Sequence, residues 1–140
     1  MASAIYNSFK RDIMDGSIDL DADTIKVALV TSTYTQNIDT HTKFSDITNE
    51  ASGTGYVAGG NTLASLAVTV DNTDDEGVFD ASDTNWATST ITARGAVVYK
   101  SSGVASTSPL MAYFDFATDQ SSSSGNFTIS WNSEGIINLG

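Results

Sequence analysis

The strongest constraint on the fold is a pattern that recurs along most of the chain. Short runs alternate apolar and polar residues with a period of two, and clusters of Asp, Asn, Ser and Gly separate them. Successive strand side chains point to opposite faces, so such alternation marks half-buried strands. "DTIKVALVTST" places Ile25, Val27 and Leu29 on one face and Ala28 and Val30 on the other, which predicts a strand buried on both sides. "NTLASLAVTVD" sets Leu66, Val68 and Val70 against Ala67 and Thr69, and "EGVFDA" reads as a short strand. "STITARGAVVYKSS" puts Ile91, Ala93, Gly95, Val97 and Tyr99 on one face, with Thr92, Arg94, Val98 and Lys100 mostly on the other. "SPLMAYFDFATD" alternates through Leu110, Ala112, Phe114 and Phe116, "GNFTISWNSEG" through Phe127, Ile129 and Trp131, and "GIINLG" follows. The clusters "DNTDDEG", "SSGVASTSP" and "DQSSSSGN" supply turn residues between them. The one proline, Pro109, falls at a strand start, where a missing N–H is tolerated. Together these signals predict a mainly β fold forming a single domain over residues 1–140. The expected form is an antiparallel β-sandwich, jelly-roll-like or of another Greek-key order.

Two segments break the pattern. In "ASAIYNSFKRDIMDG", Ile5, Phe9 and Ile13 recur at helical spacing, with Tyr6 and Met14 beside them. This predicts a short amphipathic helix over 2–15, with Ser3 as N-cap and Gly16 as its stop. Its apolar face either packs on its own domain or docks on a neighbouring subunit. Residues 31–60 are polar, Gly-rich and without clear periodicity. A loop of that length in a compact domain is usually functional or ordered by a partner.

Composition narrows the function classes. Seventeen acids against six bases give a formal charge of −11. The six bases (Lys10, Arg11, Lys26, Lys43, Arg94, Lys100) are scattered, which argues against direct nucleic-acid binding, since that needs clustered cations. An acidic surface suits a basic protein surface as partner. With no cysteine, disulfides, thiolate nucleophiles and Cys-based zinc sites are excluded. No run of about 20 apolar residues predicts a membrane span, and the first residues lack the apolar core of a signal peptide, so synthesis in the cytoplasm is expected.

The chemical motifs are weak. "SGTGYVAGG", from Ser52 to Gly60, has four glycines, but "NTLASLAVTV" follows it, without the Lys and the helix a phosphate-binding loop needs. The glycines then serve positive φ and close backbone approach where a loop enters a strand. His41 is the only histidine and lies in no nucleophile motif. "DLDADT" and "DNTDDEG" are acidic turns, but in the first the positions for the Gly and Glu of an EF-hand loop hold Thr24 and Val30, and the second lacks the required order. The residues favour no catalysis and no cofactor.

Several segments carry a resemblance that spans nearly the whole chain. The opening "YNSFK", then "IKVALVTSTYT", "GTGYVAGG", "ITARGAVVYK" and the closing "FTISWNSEGIINL" resemble a family of small tailed-bacteriophage virion proteins. The resemblance implies a capsid decoration, or cement, protein on the capsid surface of the virion. Its implied partners are the major capsid protein and itself, as a homodimer or homotrimer. It supplies no catalytic residues. Candidate contacts are the helix face of Ile5, Phe9 and Ile13, and Tyr34, His41, Phe44 and Tyr56 of the long loop. Deletion of that loop is expected to abolish shell binding while the core still folds. Competing readings are a tail, neck or fibre-associated virion protein, and a carbohydrate-binding β-sandwich. In the last, Trp86, Trp131 and the tyrosines would form a stacking platform and an acidic turn would hold calcium.

Overall fold

The computed structural model describes residues 2–140. Among them, ten strands and one α-helix form: β1 Ala4–Ile5, α1 Asn7–Met14, β2 Ile25–Val30, β3 Asn61–Thr62, β4 Ala67–Asp71, β5 Glu76–Asp80, β6 Thr84–Ser89, β7 Thr92–Lys100, β8 Leu110–Ser121, β9 Gly125–Ile129 and β10 Ile137–Leu139. The strands make three antiparallel sheets, in the orders β1-β8-β7-β2-β3, β10-β5-β4 and β6-β9. No helix among the described residues is long and apolar enough to cross a membrane.

Strand β2 is buried on both faces, as its sequence predicts, because both faces of the large sheet are covered. On one side Ile25, Val27 and Leu29 join Ala96, Val98, Phe79, Trp86, Phe127, Ile129 and Ile137 in a single cluster. That cluster draws on all three sheets, so the two small sheets pack against the large one. On the other side Ala28, Val30, Val97, Tyr99, Leu110 and Tyr113 meet Tyr6 and Tyr34, with Ile38, Phe44 and Ile47 packed at the margin. The segment after β2 therefore covers the second face of the sheet and is not a plain solvated loop.

The helix is shorter than the spacing predicts. Residues 4–5 are a strand, pairing with Tyr113 and Ala112 at the edge of β8. The unpaired β8 edge satisfies their backbone groups, and the Tyr6 N–H continues the attachment to the Met111 carbonyl at 3.1 Å. Ser3 does not cap: its Oγ accepts the Asp115 N–H at 2.8 Å, and the cap position falls to Tyr6, which makes no side-chain cap bond. Gly16 does stop the helix, at φ +80. Phe9 is buried in the main cluster with Ile5 and Ile13 packed against it, so this face serves the chain's own core. Met14 is left outside it, 87% exposed.

Three more strand expectations change. Val98 faces Ala112 and Tyr99 faces Leu110, which leaves Met111 as an extra residue in β8. A bulge of this kind switches the face of everything beyond it. Leu110 and Ala112, two apart, thus lie in different clusters. Further along, Ala93 faces Gln120 and Gly95 faces Asp115, so Arg94 opposes the four residues Phe116–Asp119. This second irregularity divides the expected single face of β7: Ala93 lies in the main cluster, but Val97 and Tyr99 lie in the other. "NTLASLAVTVD" is two strands in two sheets, with Ser65 at φ 56 between them.

Candidate functional site

The glycine stretch fastens the long loop to the sheet. Gly60 sits at φ +77, and a Cβ there would lie 1.9 Å from the Val27 carbonyl oxygen. At Gly53, φ +140, a Cβ would lie 2.1 Å from the Thr90 oxygen. Only a residue without a side chain permits both the conformation and the approach. Glu50 organises the rest. Its Oε2 accepts the Tyr56 hydroxyl at 2.5 Å and the Gly59 N–H at 2.6 Å. The Tyr56 oxygen in turn accepts the Leu29 N–H of β2 at 3.0 Å, and Tyr99 donates to the Gly59 carbonyl at 2.6 Å. Burial raises the Tyr56 phenol well above its ordinary range, helped by its bond to the Glu50 carboxylate. Burial, with Glu50 nearby, also pushes Tyr99 up to about 12. These groups, buried or half-buried, hold loop to sheet.

The seven residues singled out in the sequence do not share one surface. Ile5, Phe9 and Ile13 belong to the main core. Tyr34 is buried, with its hydroxyl 2.7 Å from that of Tyr6 and 2.9 Å from Nδ1 of His41. Burial pushes Tyr34 up to about 12 and raises Tyr6 as well. His41 is half-buried, its ring centre 5.8 Å from that of Tyr34. Phe44 stacks on Tyr99, with centroids 4.1 Å apart and planes 11° from parallel. Tyr56 belongs to the Glu50 network. Because Tyr34 and Ala51 are buried, removing residues 31–60 would strip part of the core along with any contact surface. Of the two tryptophans, Trp86 is enclosed beside Tyr56 and Phe127, and half-buried Trp131 meets Phe114 edge-on.

An open surface lies instead on the sheet β10-β5-β4. Its cross-strand register sets Val68, Phe79 and Ile137 in one row and Val70, Gly77 and Leu139 in the next, on the same face. The first row enters the core through Phe79 and Ile137. The second runs past it: Val70 is 70% exposed and Leu139 65%, with no side chain at Gly77 between them. The opposite face is acidic. One carboxylate oxygen each from Asp71, Asp74 and Glu134 lie within 4.8 Å of one another, beside a hollow of about 310 Å³ that Thr69, Val78 and Asp80 also line. Hard oxygen ligands of this kind suit calcium. No Lys or Arg occurs between Lys43 and Arg94, or after Lys100. Three of the six bases are engaged elsewhere, in the pairs Arg11–Asp12, Arg94–Asp119 and Lys100–Asp23. The sequence marked "DNTDDEG" as an acidic turn, but the valines beside it carry the same alternation as a buried strand, so periodicity alone missed this surface. Comparison with protein-family models, with curated proteins and with solved structures finds no match to the chain.

Proposed function

We propose that this chain is a non-enzymatic virion structural protein of a tailed bacteriophage. It binds the outside of the capsid shell, bridges major capsid subunits and stabilises the head, acting as a homodimer or homotrimer. The observation that carries the reading is the sheet β10-β5-β4, which exposes Val70 and Leu139 on one face and gathers Asp71, Asp74 and Glu134 on the other. Apolar side chains grouped on an exposed sheet face mark a surface that meets another protein. The segments that resemble small phage virion proteins supply the identity of that partner. Bridging several shell subunits through one oligomer converts modest contacts into tight avidity.

The test is the copy number of this chain in purified virions, by quantitative mass spectrometry against the major capsid protein. The expected result is a number comparable to the shell protein. A number lower by more than about tenfold would move the protein to the tail, neck or vertices, where symmetry offers fewer sites. Complete absence would refute the virion reading.

A further inference from the structure

We infer that the free edge of β4 receives an extended segment of the partner, a strand whose apolar residues alternate with Lys or Arg. The identification of that partner as a shell subunit rests on the function proposed above; the docking chemistry does not.

Strand β4 ends the order β10-β5-β4, and no described strand pairs with its outer edge. Natural sheets blunt such edges with very short strands, bulges, Pro or Lys. The large sheet does so, since both its edge strands, β1 and β3, are two residues long. Strand β4 carries one charge, Asp71, at its end, and none of these other devices. It is five residues, "AVTVD", and pairs with β5 through five consecutive positions without a register shift. The outer edge of β9 borders an open groove beside Phe116 and Gln120, but no charge there defines an occupant.

The two faces of β4 specify what an added strand must carry. Side chains on one face of that strand would lie beside Val68 and Val70, which are 50% and 70% exposed, and would be apolar. Side chains on the other face would lie beside Thr69 and Asp71, next to the three gathered carboxylates, and would be cationic. Main-chain hydrogen bonds would supply affinity and the alternating side chains specificity. A second copy fits poorly, because its own β4, "AVTVD", carries no Lys or Arg to meet the carboxylates.

The full-length protein is tested with a labelled synthetic peptide of four Lys-Val repeats, against a block peptide of the same composition with four Lys followed by four Val. Fluorescence anisotropy should show the alternating peptide binding at least tenfold tighter, and Val70→Lys and Glu134→Gln, each checked for native circular dichroism, should weaken it. Hydrogen exchange in the complex should gain protection at residues 67–71. Equal affinity for the two peptides, or protection elsewhere only, would overturn the inference. A second arm adds wild type and Val70→Lys to purified undecorated shells, where at least a tenfold loss of occupancy is expected for the variant. Equal decoration by both would overturn β4 as the shell contact. A wild type that binds the alternating peptide at β4 but leaves shells bare would overturn the shell reading and leave the docking edge standing.

Discussion

Gly60→Ala and Gly16→Ala form a matched pair that separates close backbone approach from backbone conformation. The two glycines have nearly the same φ, +77 and +80. A Cβ at Gly16 meets nothing within 4 Å, so that variant bears only the left-handed conformation, about 1–2 kcal/mol for a residue with a side chain. A Cβ at Gly60 would lie 1.9 Å from the Val27 oxygen and 2.7 Å from the Ala28 Cα, both backbone atoms in the centre of a sheet. The loop must move away by more than 1 Å, about the gap between that distance and an ordinary contact. That motion strains β3, whose two residues pair with Val27 and Lys26, and draws on Leu63, which is 4% exposed and donates to the Ile25 carbonyl. Partial exposure of one leucine and loss of one or two hydrogen bonds add about 2–4 kcal/mol. We expect Gly60→Ala to lower stability by about 3–6 kcal/mol and Gly16→Ala by about 1–2, measured by urea denaturation with circular dichroism. In thermal melts the gap corresponds to roughly 5–15 °C. Equal losses for the two variants would refute the close approach as the reason for glycine at position 60.

The remaining predictions concern the buried tyrosines. Glu50→Ala strands the Gly59 N–H and the Tyr56 hydroxyl and should cost about 2–4 kcal/mol; Tyr56→Phe should cost about 1–2. In a double-mutant cycle the two should couple by about 1 kcal/mol or more, and additivity within about 0.5 kcal/mol would refute the shared network. Tyr34 and Tyr99 hold their protons to about 12 in the folded chain, against an ordinary value of 10.0. Their stabilising contribution is therefore complete below pH 10 and is lost as pH rises from 10 towards 12, where the unfolded chain ionises first. The slope should reach up to about 1.4 kcal/mol per pH unit for each tyrosine, with Tyr6 and Tyr56 adding in the same direction. Urea midpoints from pH 8 to 11.5, with phenolate absorbance, check this; flat stability above pH 10 would refute it.

Much of the fold was legible in the sequence, because period two and turn chemistry are local signals. The double-sided burial of β2, the inward Phe127 and Ile129 of β9, and Gly16 as the helix stop all follow from neighbouring residues. So does the reading of the glycines, since the segment after them is not a helix. The rest was hidden where distant partners decide. Whether Ile5 is helix or strand depends on the open edge of β8, more than 100 residues away in sequence. Nothing in the alternation of "SPLMAYFDF" announces the bulge at Met111; it is visible only in the register against β7. Val68 and Val70 alternate like core residues, and only the extent of the opposing sheets leaves them bare. The seven singled-out side chains were chosen for apolarity or aromaticity in unusual segments. Those are also the properties that carried Phe9 and Tyr34 into the core and packed Ile5, Ile13, Phe44 and Tyr56 against it.

The attachment of β1 to β8 bears on the order in which the chain can be completed. Ala4 pairs with Tyr113, so residues made earlier must wait for residues made more than 100 positions later. Ala4 and Ile5, with the helix that follows, cannot take their final place until β8 has been synthesised. Tyr6 waits on the same event, because its N–H donates to Met111 and its hydroxyl meets Tyr34 over the face of the finished sheet. Contacts so far apart close slowly, since the entropy of a long loop is lost before the contact returns anything. β1 and Tyr6 are thus sealed only after β8 is in place, and a truncated product lacking β8 would expose the aromatic face that Tyr6 and Tyr34 otherwise cover.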